Sequence, residues 1–319
     1  MRIVSLLPAA TEILYAVGAG DSVVGVTHEC DFPAEAAKKP HLIRSRVDAS
    51  AIAAEIERQV RELIGLQESI YSLDTQMLLQ LDPDLIVTQD LCDVCAISAH
   101  DLNVALTHFP PNRRPRVVSF TPRNLGEVWN GIREIGEAAG RATEAHALAD
   151  WLALEVDSVR QAVADVSPRP RVLCLEWFDP PYMGGHWIPE MVRLAGGIDV
   201  FGREQEPSTP IRWEDIIASQ PEVVVLMSCG YNLDRNFAVW RSTQLPAGWD
   251  EIPAVKHDRV YAVDSNSYFS RPGPRLSEGV AILAGILHPT RVRPDLVRHA
   301  ESVRRVSADS RPLQAKPAS

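Results

Sequence analysis

The 319-residue sequence predicts an α/β protein of two similar three-layer lobes, each on a parallel sheet, joined by a long rigid helix. Three observations carry this. Short β-branched runs alternate with helical patterns along most of the chain. A helix stop followed at once by a strand start occurs twice, once in each half. Between the halves lies a helical segment that no glycine or proline interrupts.

The first set of strands is read at Arg2–Leu6, Ser22–Val26, Asp84–Thr88 and Arg116–Phe120. The second is read at Arg171–Glu176, Glu222–Met227 and Arg259–Val263. The halves echo one another. Leu78-Leu79-Gln80-Leu81-Asp82-Pro83-Asp84-Leu85-Ile86-Val87 resembles Ile216-Ile217-Ala218-Ser219-Gln220-Pro221-Glu222-Val223-Val224-Val225. In both, a proline blocks the helix and a buried strand follows. Pro115-Arg116-Val117-Val118 is read as a second echo, of Pro170-Arg171-Val172-Leu173.

From Arg141 to Ser167 the chain has no Gly or Pro, and Leu148, Leu152, Val156, Val159 and Val163 fall at helical spacing. About 26 residues at a 1.5 Å rise give a rod of roughly 39 Å. Such a rod holds two lobes at a nearly fixed separation and limits closure to a small tilt. The predicted boundaries are 1–123 for the first lobe, 124–167 for connecting helices and 168–300 for the second lobe. The polar, proline-containing tail at 301–319 reads as disordered.

Composition narrows the function classes. A net charge of −10 argues against nucleic acid as a partner. No run approaches the ~20 apolar residues of a membrane span. The N-terminus, Met1-Arg2-Ile3-Val4-Ser5-Leu6-Leu7-Pro8, reads as a first strand and not as a signal peptide. As written it implies a cytoplasmic protein, or a periplasmic one if a leader was removed. The five cysteines, at 30, 92, 95, 174 and 229, do not form a disulfide framework in a chain this long.

Ligands of parallel α/β sheets bind beyond the carboxyl ends of the strands, so the residues following each strand form the candidate site. In the first lobe these are Pro8 and Thr11, then Thr27, His28 and Glu29, then Gln89 and Asp90. In the second lobe they are Glu176, Trp177, Phe178, Asp179, His186 and Trp187, then Tyr231, then Asn266, Ser267, Tyr268 and Phe269. Aromatic residues make up 6% of the chain, so their concentration in these loops suits a wide, flat, amphipathic ligand. The same aromatics could instead plug the sheet end.

His28, Cys30, Cys92 and Cys95 form a possible mixed nitrogen and sulfur set for a zinc or iron ion. Cys92-x-x-Cys95 also fits a thiol redox pair, and small buried cysteines are common packing residues. Gly18-Ala19-Gly20 lacks the third glycine of a dinucleotide loop. No nucleophile elbow or Walker sequence occurs.

Several stretches together resemble the cobalamin-binding, periplasmic-type substrate-binding proteins of ABC transporters, the class III group with a helical backbone between lobes. They are Ser5-Leu6-Leu7-Pro8-Ala9-Ala10-Thr11-Glu12, Val24-Gly25-Val26-Thr27-His28-Glu29-Cys30-Asp31-Phe32-Pro33 and Leu81-Asp82-Pro83-Asp84-Leu85-Ile86. Pro180-Pro181-Tyr182-Met183-Gly184-Gly185 and Tyr268-Phe269-Ser270-Arg271-Pro272-Gly273-Pro274-Arg275 complete them. The resemblance implies a non-enzymatic protein that holds a corrinoid in an interlobe cleft, as a transporter component or as a cytoplasmic carrier or sensor. It also implies docking on a permease through a glutamate from each lobe. The second-lobe position matches Glu214, whereas the first falls on Gln76. A metal-ion or metal-chelate receptor and a thiol enzyme are the competing readings.

Overall fold

The computed structural model describes residues 1–48, 51, 53–66, 69–89, 99–292 and 299–306. The chain divides into two units. Unit 1 takes Met1–Pro122, Gly126–Leu152 and Pro272–Pro274, and unit 2 takes Arg123–Leu125, Ala153–Arg271 and Arg275 onward. Among the described residues, no helix is long and apolar enough to cross a membrane.

Unit 1 runs β1 (Ile3–Ser5), α1 (Pro8–Ala16), β2 (Val23–Thr27), β3 (His41–Ser45), α2 (Ala53–Gly65), β4 (Tyr71–Leu73), α3 (Thr75–Leu81), β5 (Leu85–Thr88), α4 (Ala99–Leu106) and β6 (Arg116–Ser119). Helices α5 (Leu125–Ala138) and α6 (Ala142–Ala162) follow. The sheet order is β4-β3-β2-β1-β5-β6. Every pairing is parallel except β3 with β4. The central strands β1 and β5 are continuously apolar or buried because both faces are covered: Val4, Leu42 and Ile86 pack with Leu78, Leu102 and Phe109 in one apolar cluster.

The long helix is shorter than the glycine-free segment implies. α6 has 21 residues, and the division between the units falls inside it, after Leu152. Its predicted seam is buried at Leu152, Val156, Val159 and Val163.

Unit 2 runs β7 (Arg171–Phe178), β8 (Pro181–Met183), α7 (Ile188–Leu194), β9 (Ile198–Asp199), α8 (Trp213–Ser219), β10 (Val223–Leu226), α9 (Leu233–Ser242), α10 (Pro253–Lys256), β11 (Val260–Val263), α11 (Ser265–Tyr268), α12 (Leu276–Leu287) and β12 (Val303–Arg305). Its order is β12-β11-β10-β7-β8, with β9 also on β7. Leu173, Leu175, Val224, Leu226, Trp240 and Trp249 form an apolar cluster with Phe178.

Two expectations change here. The sheets are mixed: β4, β8 and β12 add antiparallel edges to parallel cores. These edge strands have three residues each, too few for a period-2 pattern to register. The tail is not wholly disordered either. Residues Val303–Arg305 pair with β11, because Val306 donates its N–H to Val260 and buries its side chain. Residues 307–319 lie outside the described part.

The internal repeat is structural. α3 ends at Asp82 with φ 38° and α8 at Gln220 with φ 46°, each a left-handed stop before a proline. The Arg2 N–H donates to the Asp84 carboxylate at 2.7 Å, and its guanidinium to the Leu81 carbonyl at 2.7 Å. The Arg171 N–H donates to the Glu222 carboxylate at 2.8 Å, and its guanidinium to the Ser219 carbonyl at 2.8 Å. The first strand of each unit is thus clasped to the same helix stop. This equates β1 with β7 and β5 with β10, so the Arg116/Arg171 echo joins strands that are not equivalent; β6 corresponds by position to β11.

The fully buried Asn236 of α9 donates through Nδ2 to the Leu226 carbonyl at 2.6 Å and the Val263 carbonyl at 3.0 Å. It ties the ends of β10 and β11 together. Asn236→Ala strands two buried acceptors and should lower unfolding free energy by about 2–4 kcal/mol. Urea unfolding at constant m-value checks this, and a change below about 0.5 kcal/mol would mean water replaces the amide.

Candidate functional site

At the carboxyl ends of the unit 1 strands, Pro8 opens α1 at its first turn, where a missing N–H costs nothing. Thr11 is fully buried and donates to the Ser5 hydroxyl at 2.8 Å. Cys30 is 2% exposed, with Sγ 3.1 Å from Thr11 Oγ1 and 3.3 Å from Thr27 Oγ1. Thr27 Oγ1 also accepts the Glu29 N–H at 3.1 Å. Thr11, Thr27 and Cys30 therefore lock the turn after β2 onto α1. Gln89 is 8% exposed at the end of β5.

His28 turns away from Cys30. Its Nδ1 lies 3.0 Å from the Ile43 carbonyl of β3, and its ring centroid is 6.0 Å from that of Tyr71 on β4. The residue itself is exposed. The proposed metal set is accordingly not assembled by its two described members: Cys30 packs inward, and the His28 ring faces β3. Among the described residues no group of three His, Cys, Asp or Glu could hold a metal ion. Asp90, Cys92 and Cys95 lie outside the described residues.

In unit 2 the register of β7 against β8 shifts between Leu175 and Trp177. A shift of this kind re-aims successive side chains. Phe178 joins the face of Leu173 and Leu175 and packs edge-on against Trp240, with centroids 5.2 Å apart. It is core and does not line a ligand wall. Trp177 is aimed elsewhere, half-buried, with its ring 5.4 Å from that of Tyr231. The Arg235 guanidinium stands 4.1 Å over the Tyr231 ring.

The other loops of this edge are stitched together. Trp187, 7% exposed, donates Nε1–H to the Phe269 carbonyl at 2.7 Å. Asn266 N–H donates to the Tyr231 carbonyl at 3.0 Å, and Ser267 N–H to the Asp264 carboxylate at 3.0 Å. Ser265 Oγ donates to the Met227 carbonyl at 2.8 Å. Trp187 and Phe269 thus serve as plugs of the sheet end, whereas Asn266 and Ser267 stay partly exposed. Tyr268, 8% exposed, stacks on His299 with centroids 5.3 Å apart. Asp179 is exposed, and half-buried His186 sits at φ 53° beside Trp187.

Two further residues of this edge, Ser228 and Cys229, follow the Glu222 strand, where the sequence already places them among the strand-end candidates. Ser228 is 1% exposed, and among the described residues its Oγ has no hydrogen-bond partner; the Trp177 indole Nε1 has none there either. Cys229, between Ser228 and Gly230, is exposed, with its N–H donated to the Glu176 carbonyl at 3.1 Å. Orphaned polar atoms cost about 1–3 kcal/mol each and mark places where a partner is worth most.

Beneath these loops lies an acidic pair. Burial raises the Glu176 carboxyl to about 7, against the bond it accepts from Gly185 N–H at 3.2 Å, and the nearby Asp199 adds to the rise. Burial raises Asp199 to about 6, although its Oδ1 accepts from the Phe201 and Gly202 N–H groups at 3.0 and 2.7 Å. Its Oδ2 has no partner. Burial, then these two carboxylates, push the Cys174 thiol well up. A side chain on Gly185 would strike the Ser208 backbone, so the turn above Glu176 fits only glycine.

A carboxyl whose folded value is raised stabilises the fold below its unfolded value and loses that contribution as pH rises through the folded one. For Glu176 the window runs from 4.5 to about 7. Glu176→Gln accepts the same N–H without ionising. Its stability relative to the parent should rise by about 2–3 kcal/mol between pH 5 and pH 8. Urea unfolding at the two pH values checks this; a pH-independent difference would mean that Glu176 stays ionised.

Residues 3–267 match the profile of the family described as periplasmic binding protein. The vitamin B12-binding protein of Vibrio cholerae serotype O1 is 24% identical over 289 residues, 88% of this chain and 86% of its own. The Bacillus subtilis protein named uncharacterized ABC transporter substrate-binding lipoprotein YvrC is 27% identical over 293 residues, 90% of this chain and 80% of its own. The apo periplasmic heme-binding protein RhuT of Roseiflexus sp. RS-1 superposes with a TM-score of 0.65 at 23% identity, over 90% of this chain and 98% of its own. The fold is that of the class III periplasmic binding proteins. The cytoplasmic setting expected from the N-terminus finds no support in these matches, whose names read periplasmic and lipoprotein. Proteins of this kind bind their substrates without transforming them, which sets the thiol-enzyme reading aside. With its profile matched across residues 3–267, the chain belongs to the periplasmic binding protein family and is a substrate-binding protein, not an enzyme.

Proposed function

We propose that the chain binds a corrinoid, a cobalamin-like macrocycle, through the loops at the carboxyl ends of its strands. The observation that carries this is the edge of unit 2, where the Trp177–Tyr231–Arg235 cluster adjoins Trp177 Nε1 and Ser228 Oγ, both unpartnered among the described residues. Ring faces bury the flat apolar area of a macrocycle, and unpaired donors meet its amide rim. Asp179, Asn266 and Ser267 supply further polar contacts. Both orphaned atoms are closed to water at present, so a small side-chain rotation on binding is part of the proposal. The vitamin B12-binding relative supports the same ligand class.

The matching lipoprotein name supports a role as the receptor of an ABC permease. The repeat places Gln76 of α3 and Glu214 of α8 at equivalent second positions of their helices, both exposed. Docking would then draw on one acidic contact in place of two. Glu214→Arg should abolish co-purification with a cognate permease, and retention would remove Glu214 from that role.

Calorimetric titration with aquocobalamin should show one-to-one binding at micromolar affinity or better. Trp177→Ala should weaken it by about 1–3 kcal/mol, as for a buried aromatic anchor. A haem ligand is the second reading, raised by the RhuT superposition. Haemin binding without aquocobalamin binding would select it, and binding of neither would leave the fold without this function.

A further inference from the structure

We propose that His299 is a pH-sensitive clasp: its charged imidazolium fastens the strap of residues 299–306 to helices α11 and α12. The inference goes beyond the binding reading above, lies wholly within unit 2 and does not require the ligand named there.

The strap has little else to hold it. β12 is a three-residue edge strand, and short edge elements open at low free-energy cost. Its backbone is tied at each end. The Asp264 N–H donates to the Ser302 carbonyl at 2.9 Å, and the Val306 N–H to the Val260 carbonyl at 2.8 Å. Arg304 donates to the Asp234 carboxylate at 2.7 Å. His299 stands just before the short helical turn Ala300–Ser302 that leads into the strand. Its Nδ1 lies 3.1 Å from the Glu301 carboxylate, and its Nε2 lies 3.2 Å from the carboxylate of Glu278, in the first turn of α12. The ring itself stacks on Tyr268 of α11, with the two planes 29° apart.

A carboxylate only accepts, and a neutral imidazole has a single N–H. Uncharged, the ring satisfies one glutamate and turns a bare lone pair toward the other. Protonated, it donates to both. The backbone N–H of Glu301 first, and then the His299 ring, hold the Glu301 carboxyl below the ordinary carboxylate range, so it presents a charged acceptor. The groups around the ring are Glu278 of α12, Glu301 of the turn and the Tyr268 phenol of α11. Beyond them, the Arg275 guanidinium is 5.8 Å from the Tyr268 ring, and Asp264 caps α11. Among the described residues no other histidine has a carboxylate at each ring nitrogen. His28, His41 and His288 meet backbone carbonyls, and His146 meets one glutamate. The two glutamates sit at opposite nitrogens of His299, so the trio does not converge on a metal ion.

The clasp is therefore complete at pH 5 and incomplete at pH 8, the ends of the range over which imidazoles lose their proton. Its loosening frees the turn whose Ser302 carbonyl holds the N–H of Asp264, the residue that caps α11. The seat of Tyr268 thus depends on pH.

The test is amide hydrogen exchange of the full chain at pH 5 and pH 8, read as protection of the Asp264 and Val306 N–H groups relative to their intrinsic exchange. His299→Gln keeps a donor for one glutamate, His299→Phe keeps the stack on Tyr268, and neither takes up a proton. The parent should be about three- to tenfold better protected than either variant at pH 5, and within about twofold of both at pH 8. Groups that titrate elsewhere, Glu176 and Asp199 among them, cancel in this ratio. Glu301→Gln alters a side chain that is 74% exposed and should show a smaller gap at pH 5 that also closes at pH 8. If a His299 variant fails to fold, this substitution carries the comparison. A ratio of parent to variant that is equal at the two pH values means that the ring only packs, and it overturns the clasp. A ratio near one at pH 5 overturns it as well.

Discussion

Both units depend on one constraint, the helix stop that delivers a central strand to its place. At Asp82 and again at Gln220 the chain leaves a seven-residue helix through a left-handed residue, and the next residue is a proline that cannot continue the helix. The strand that follows can only run parallel to the unit's first strand. The arginine opening that strand, Arg2 or Arg171, holds both the helix carbonyl and the acidic residue of the incoming strand. These bonds are individually modest at an exposed edge. Their value is register: a slip of one residue would turn every buried valine of β5 or β10 to the wrong face. Both helices have seven residues before the stop, so Gln76 and Glu214 occupy the same helical position.

A second constraint works in the opposite sense. β7 is the longest strand of unit 2, and an unbroken alternation would send Phe178 and Glu176 to one side. The register shift before Trp177 separates them. Phe178 drops into the Trp240 cluster, while Glu176 stays beneath the Gly185 turn. The result is a desolvated carboxyl next to another, Asp199, with a thiol between them in the electrostatic sense. Strained or desolvated groups persist where the surrounding packing over-determines them. Here that packing is the glycine-only turn and the backbone N–H groups of Phe201 and Gly202.

The two carboxyl edges differ in chemistry although their strands repeat. Unit 1 offers hydroxyls, an exposed imidazole and few rings. Unit 2 offers indole, phenol and guanidinium, with Trp177 Nε1 and Ser228 Oγ unpaired among the described residues. The cysteine nearest the imidazole, Cys30, has been absorbed into packing by Thr11 and Thr27.

Much of this was legible in the sequence. Seven of the strands, the long helix and the double helix stop follow from β-branched runs, helical spacing and proline position, whereas the internal strand β3 (His41–Ser45) was not read. All of these signals are local. Other features required the fold. The three-residue edge strands β4, β8 and β12 exist only because a neighbour offers a free edge to pair with. Phe178, Trp187 and Phe269 look like ligand walls in the sequence and become core or plugs, since a shift in register and one indole hydrogen bond decide where each ring points. His28 and Cys30 are two residues apart in the sequence, yet their donor atoms face different partners. The sequence by itself determined which residues reach the carboxyl edges. Only the tertiary structure decided which of them keep an unpaired polar atom there, because hydrogen-bond satisfaction depends on neighbours brought together from distant parts of the chain.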